Sequence, residues 1–154
     1  ISSTVVPIAR AAMAKVGTSA LESQKLGYLQ ATDIIVPNKD ELLFVAMTQA
    51  KAMFDSGYRP PTKAVFAVAG RSALATIKGQ LANMRDGGFI SAHDFHVSAL
   101  IAEVVCGGDV DAGSMVTEEY LMTMERDRFC GLLDHPKTQE RIMGMLQTGK
   151  PVRN

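Results

Sequence analysis

The residues whose types best suit chemistry lie between Val65 and Ala73. An apolar run, Val65-Phe66-Ala67-Val68-Ala69, is followed by Gly70-Arg71-Ser72 and then by helical pattern. That is the skeleton of a nucleophile elbow, in which a tight turn presents a serine hydroxyl to a general base. Asp109 or Asp111, and then His135, even follow in the chain order of such a hydrolase. The glycine that should close the motif is Ala73, however, and the other strands of a hydrolase sheet are missing. Ser72 therefore reads more economically as a helix cap. His93 and His96, three apart on one helix, have a spacing at which two imidazoles can share a metal. A complete site needs further ligands, and only Asp94 or a distant cysteine offers itself. His93 and Asp94 also fall in the first turn after Ser91, where polar side chains ordinarily serve free amides, so no metal is expected.

Other chemistry is thinner. Gly70 and Gly79 do not make a Gly-x-Gly-x-x-Gly cradle, and Gly107-Gly108 follows a helix where a dinucleotide motif must follow a strand. Glu118 and Glu119 open a helix, where acidic side chains complement the dipole rather than act as an acid–base pair. Lys150 and Arg153 stand just past a helix end, which suits cations at the negative end of the dipole. They are also the candidate contacts for a phosphate group.

The elements that must position these residues are mostly helical. Ile8, Ala12, Met13 and Val16 make a short stripe behind Pro7. Ser19 and Glu22 suit a capped short helix that stops at Gly27. Asp33-Ile34-Ile35-Val36 is the one expected strand, β-branched and cut off by Pro37. Asn38 and Glu41 repeat the capping logic ahead of a helix bearing Leu42, Leu43, Ala46, Ala50, Met53 and Phe54, ended by Gly57. Tyr58-Arg59-Pro60-Pro61 is a stiff link. Leu74, Ile77, Leu81 and Met84 mark the next helix, closed by Gly87-Gly88. Ser91 caps another, carrying Val97, Leu100, Ile101, Val104 and Val105, which ends at Gly107-Gly108. A polar loop from Asp109 to Ser114 leads to a helix from about Thr117 to Leu133. Pro136 begins the last helix, with Ile142, Met145 and Leu146 on one face, ended by Gly149 and Pro151. The fold class is mainly α with at most one short strand. Residues 1–58 and 59–154 form two stretches of one compact unit.

Composition narrows the partners. Sixteen basic residues balance sixteen acidic ones, so no basic field exists for nucleic acid or anionic lipid. The apolar runs, such as Leu100 to Cys106, fall far short of the roughly twenty residues a spanning helix needs. Cys106 and Cys130 read as reduced core thiols of a cytoplasmic protein, a buried disulfide being the alternative. Nine methionines and no tryptophan suit an adaptable core. The chain opens at Ile1 and enters helical pattern almost at once, as a processed product or an excised piece of something longer would.

Several stretches then carry a resemblance. Ala12-Met13-Ala14-Lys15-Val16-Gly17-Thr18-Ser19-Ala20, with Gly27-Tyr28-Leu29 and Asp33, resembles the later part of a crotonase (enoyl-CoA hydratase) domain. Gly87 to Asp94, Cys106-Gly107-Gly108-Asp109, Lys137 to Ile142 and Thr148 to Asn154 resemble the crotonase end of bacterial multidomain 3-hydroxyacyl-CoA dehydrogenases. The resemblance spans essentially the whole chain, in order.

It implies a parent enzyme in which a Rossmann domain moves hydride between NAD and 3-hydroxyacyl-CoA and a crotonase domain hydrates the 2-enoyl bond. The oxyanion amides, water-activating acids, NAD site and dehydrogenase histidine of the family all precede the region matched, so no catalytic residue carries over. This chain would then be a helical carboxy-terminal part that completes the acyl-CoA pocket, packs on the core or a neighbouring subunit, and self-associates when alone. The family's CoA-phosphate lysine falls, without gaps, at Thr148, two positions before Lys150. The alternatives are an autonomous helical interaction module without enzymatic activity and, third, a hydrolase built on Ser72.

Overall fold

A computed structural model describes residues 16–154; the stripe on Ile8, Ala12 and Met13 behind Pro7 lies outside them. The described residues form two compact units, 16–62 and 63–154. The fold is mainly α.

In the first unit, helix α1 spans Ala20–Leu26. Ser19 Oγ caps it by accepting from the Glu22 amide at 3.2 Å. The Glu22 carboxylate reaches past Ser19 to Thr18, accepting from its amide at 2.8 Å and its hydroxyl at 2.6 Å. The stretch from Asp33 to Val36, expected as a strand, belongs to no ladder: the sheet among the described residues lies elsewhere. β-branched residues fit a pleated, half-buried surface, and without a partner strand that preference builds nothing. Asn38 Oδ1 accepts from the Asp40 amide at 3.1 Å. This opens a 3₁₀ turn, Lys39–Glu41, that runs into α2, Leu42–Asp55. Glu41 lies inside the turn, its amide donating to the Asn38 carbonyl oxygen at 3.2 Å. Neither helix of this unit contains a buried residue.

The second unit begins with β1, Val65–Ala67, paired antiparallel to β2, Met115–Thr117, with Phe66 opposite Val116. The helices α3 (Gly70–Asp86), α4 (Ala92–Cys106), α5 (Glu118–Leu133) and α6 (Pro136–Thr148) complete it. Helices α3 and α4 pack through Ile77 and Leu81 against Ala99, Ala102 and Cys106, flanked by Leu74, Ile90 and Phe95. The two alanines let the backbones approach while the larger chains of α3 fill the gap. Each buried Leu or Ile adds about 1.5–3 kcal/mol.

Their ends are cut by local chemistry. Ser91 and Asp94 form a reciprocal capping box: the Asp94 amide donates to Ser91 Oγ at 3.0 Å, and the Ser91 amide to Asp94 Oδ2 at 3.1 Å. Gly107 ends α4 at φ +81°, and a Cβ there would lie 2.6 Å from Val68. Glycine is therefore required on two counts. Both cysteines are free thiols; Cys106 is buried as expected, but Cys130 is exposed and is no core residue. No helix among the described residues is long and apolar enough to cross a membrane.

Candidate functional site

The elbow seen in the sequence takes its strand–turn–helix shape without its chemistry. Gly70 adopts φ +68°, where a Cβ would meet the Val110 carbonyl oxygen at 2.5 Å, and the Arg71 amide donates to that oxygen at 2.8 Å. The helix therefore starts two residues before Ser72. Ala69 occupies the cap position and no side chain caps the end, so the capping role expected of Ser72 is not realised. Asp109 and Asp111 pair with Arg71 at 3.0 and 3.5 Å, and His135 stacks on His93. Among the described residues nothing orients a base toward the Ser72 hydroxyl.

A denser cluster forms where the start of α4 meets the start of α6. His93 is 2% exposed. Its Nε2 lies 3.0 Å from Thr138 Oγ1, and its Nδ1 is buried without a partner. His135 caps α6, its Nδ1 accepting from the Lys137 amide at 3.2 Å. The ring centroids of His93 and His135 are 4.5 Å apart, with His96 at 6.2 Å from the first and 5.7 Å from the second. His93 does not serve the helix amides as its first-turn position suggested; Asp94 does. Among the described residues no three His, Cys, Asp or Glu side chains converge on a point that would hold a metal ion.

Beside the imidazoles, Asp94 pairs with Arg141 at 2.9 Å and lies 3.9 Å from Arg153. Arg141 also donates from Nε to Asn154 Oδ1 at 2.7 Å, so the tail folds back on α6. Burial alone would raise the Asp94 pKa, but the Ser91 amide and the Arg141 guanidinium overcome it and hold the carboxyl below its ordinary value. Burial lowers the pKa of His93, and the positive field of Arg141, His135, His96 and Lys137 lowers it further.

From this cluster a groove of about 410 Å³ runs between α4 and α5. Val97, Leu100, Ile101 and Val104 line one wall, and Phe129 and Leu132 the other. His93, Thr138 and Arg141 close one end. An ion pair between Arg128 and Glu103, at 2.6 Å, bridges α5 to α4. Such a groove, apolar with charged groups at its edge, suits an apolar chain or an apolar helix face. Lys150 lies beyond the end of α6 and is exposed, its amide donating to Thr148 Oγ1 at 3.2 Å.

The sequence paired His93 with His96 and pointed to His135 separately, so it did not bring the third imidazole to the other two. Arg141 was missed. The one available signal was local: a residue directly before a first-turn proline is a cap, which places His135 at the start of α6.

A curated relative is 41% identical over 143 residues, 93% of this chain: a probable 3-hydroxyacyl-CoA dehydrogenase of Bacillus subtilis (strain 168). This chain is similar to one stretch of a longer enzyme. It spans 18% of the length of that relative. No family model matches the chain. No solved structure matches it either.

Proposed function

We propose that this chain is the helical, crotonase-end part of a fatty-acid β-oxidation polypeptide with NAD-dependent 3-hydroxyacyl-CoA dehydrogenase and enoyl-CoA hydratase activities. The observation that carries this reading is the 41% identity, sustained over 93% of the chain, to the Bacillus subtilis protein. In it, residues 1–58 end the crotonase core and residues 59–154 form the helical region. Together they complete the acyl-CoA pocket and pack on the rest of the polypeptide or a neighbouring subunit. NAD and the catalytic groups belong to other parts of that polypeptide, which works in the cytoplasm. Large apolar side chains at the surface, among them Leu43, Phe44, Phe54, Phe89 and Leu146, support a chain built to be covered and prone to self-associate alone. Lys150 and Arg153 supply cations for the CoA phosphates.

The test is to recover from cells the polypeptide that carries this sequence and assay it with NAD and a 3-hydroxyacyl-CoA. A longer polypeptide that reduces NAD and hydrates the enoyl thioester is expected. In that protein Lys150→Ala should raise KM about tenfold for acyl-CoA, the loss of one charge-assisted hydrogen bond, and leave KM unchanged for a thioester lacking the phosphates. A species of 16.5 kDa without either activity would leave the autonomous helical module standing instead.

A further inference from the structure

Three imidazoles converge on the seam between α4 and α6, and the carboxylate beside them is already fully engaged. We propose that His93, His96 and His135 form a proton-sensitive latch, which holds the first turn of α6 against α4 at neutral pH and releases it on mild acidification.

A proton on this seam breaks a contact or buries a charge. His135 Nδ1 accepts from the Lys137 amide. A nitrogen that takes a proton loses the lone pair that accepts, so charging His135 removes the cap of α6. His93 uses Nε2 with Thr138 and leaves Nδ1 buried without a partner, so a charge there would lack both water and a counterion. His96 completes the triangle, its ring centroid 6.2 Å from that of His93 and 5.7 Å from that of His135.

The surroundings offer no relief. On α4 the adjacent carboxylate is Asp94, committed to the Ser91 amide and to Arg141, with Arg153 close by. From α6 come Lys137 and Arg141, both raising the positive potential at His93. From α5, Arg128 and Glu125 line the groove with His93, and Arg128 pairs with Glu103. Cations therefore crowd His93, and charge on His135 or His96 opposes charge on it.

The sign follows from the lowered pKa of His93. The released state binds protons more readily than the latched one. The latch is intact above the ordinary histidine value of 6.5 and weakens as pH falls from there through His93's own lower value. Each proton taken up on release multiplies the opening constant by up to about ten per pH unit in that window.

Hydrogen exchange of the α6 amides at about pH 7.5 and about pH 5.5, corrected for the intrinsic rate, reads the latch directly. The expected result is a several-fold loss of α6 protection at the lower pH, approaching about tenfold, with α3 amides much less affected. His135→Asn keeps an acceptor at the cap but cannot be charged, and should reduce that loss several-fold. His93→Gln keeps a partner for Thr138 and should act in the same direction. If α3 and α6 lose protection in parallel, acid acts globally and the latch is refuted. It is equally refuted if the folded variants keep the full pH response of the parent chain.

Discussion

The two sides of α4 are held in opposite ways. Toward α3 the seam is dry: Ile77, Leu81, Ala99, Ala102 and Cys106 are buried together without a charged group among them. Toward α6 it is polar, made of His93 against Thr138, Asp94 against Arg141, and three neighbouring imidazoles tilted to one another. Neither α5 nor α6 contains a buried residue. Apolar burial depends on area and is indifferent to protonation, whereas the polar seam holds only while its groups keep the right charge. One helix thus joins a permanent contact to a conditional one.

The largest effect that would break this contrast comes from the dry side. Leu81→Ala should cost about 2–5 kcal/mol through lost burial and a residual cavity, measured by urea denaturation, with little change in pH dependence. Next comes Arg141→Met, which leaves the Asp94 carboxylate without its strongest partner in a mostly buried place. About 2–3 kcal/mol should be lost at neutral pH, and the Asp94 pKa should rise when followed by NMR. Because the Ser91 amide and Arg141 together hold that pKa below its ordinary 3.8, their contribution is present above that value and lost as pH falls through the lower one. The smallest effect belongs to the bridge to α5. Glu103→Gln should cost about 0.2–1 kcal/mol, since Arg128 is partly exposed, and the loss should shrink in high salt. A larger loss would mean that α5 is held by charge rather than by the apolar walls of the groove.

What the sequence disclosed was the chemistry that acts within one turn. Ser19 and Ser91 cap because the amide they serve is three residues away, and Pro136 starts α6 because its fixed φ suits a first turn. What stayed hidden required a partner far along the chain. The run from Val65 became a strand through pairing with Met115–Thr117, about fifty residues later, while the more β-like Ile34-Ile35-Val36 found no such partner. The His93–His135 contact spans a similar distance, so neither histidine announced the other. Ser72 failed as a cap for a subtler reason: Gly70, free to take a left-handed backbone, let the helix begin early.

The buried thiol of Cys106 gives the dry seam a rate as well as an energy. Cys130 stands in solvent and can react at once, whereas Cys106 is sealed between α3 and α4 and its burial pushes the thiol pKa up. An alkylating reagent reaches Cys106 only in molecules whose two helices have come apart. When that opening is slow beside the chemistry, every modified Cys106 records one event. The chain then counts its own openings, with Cys130 in the same molecule marking the start of the exposure.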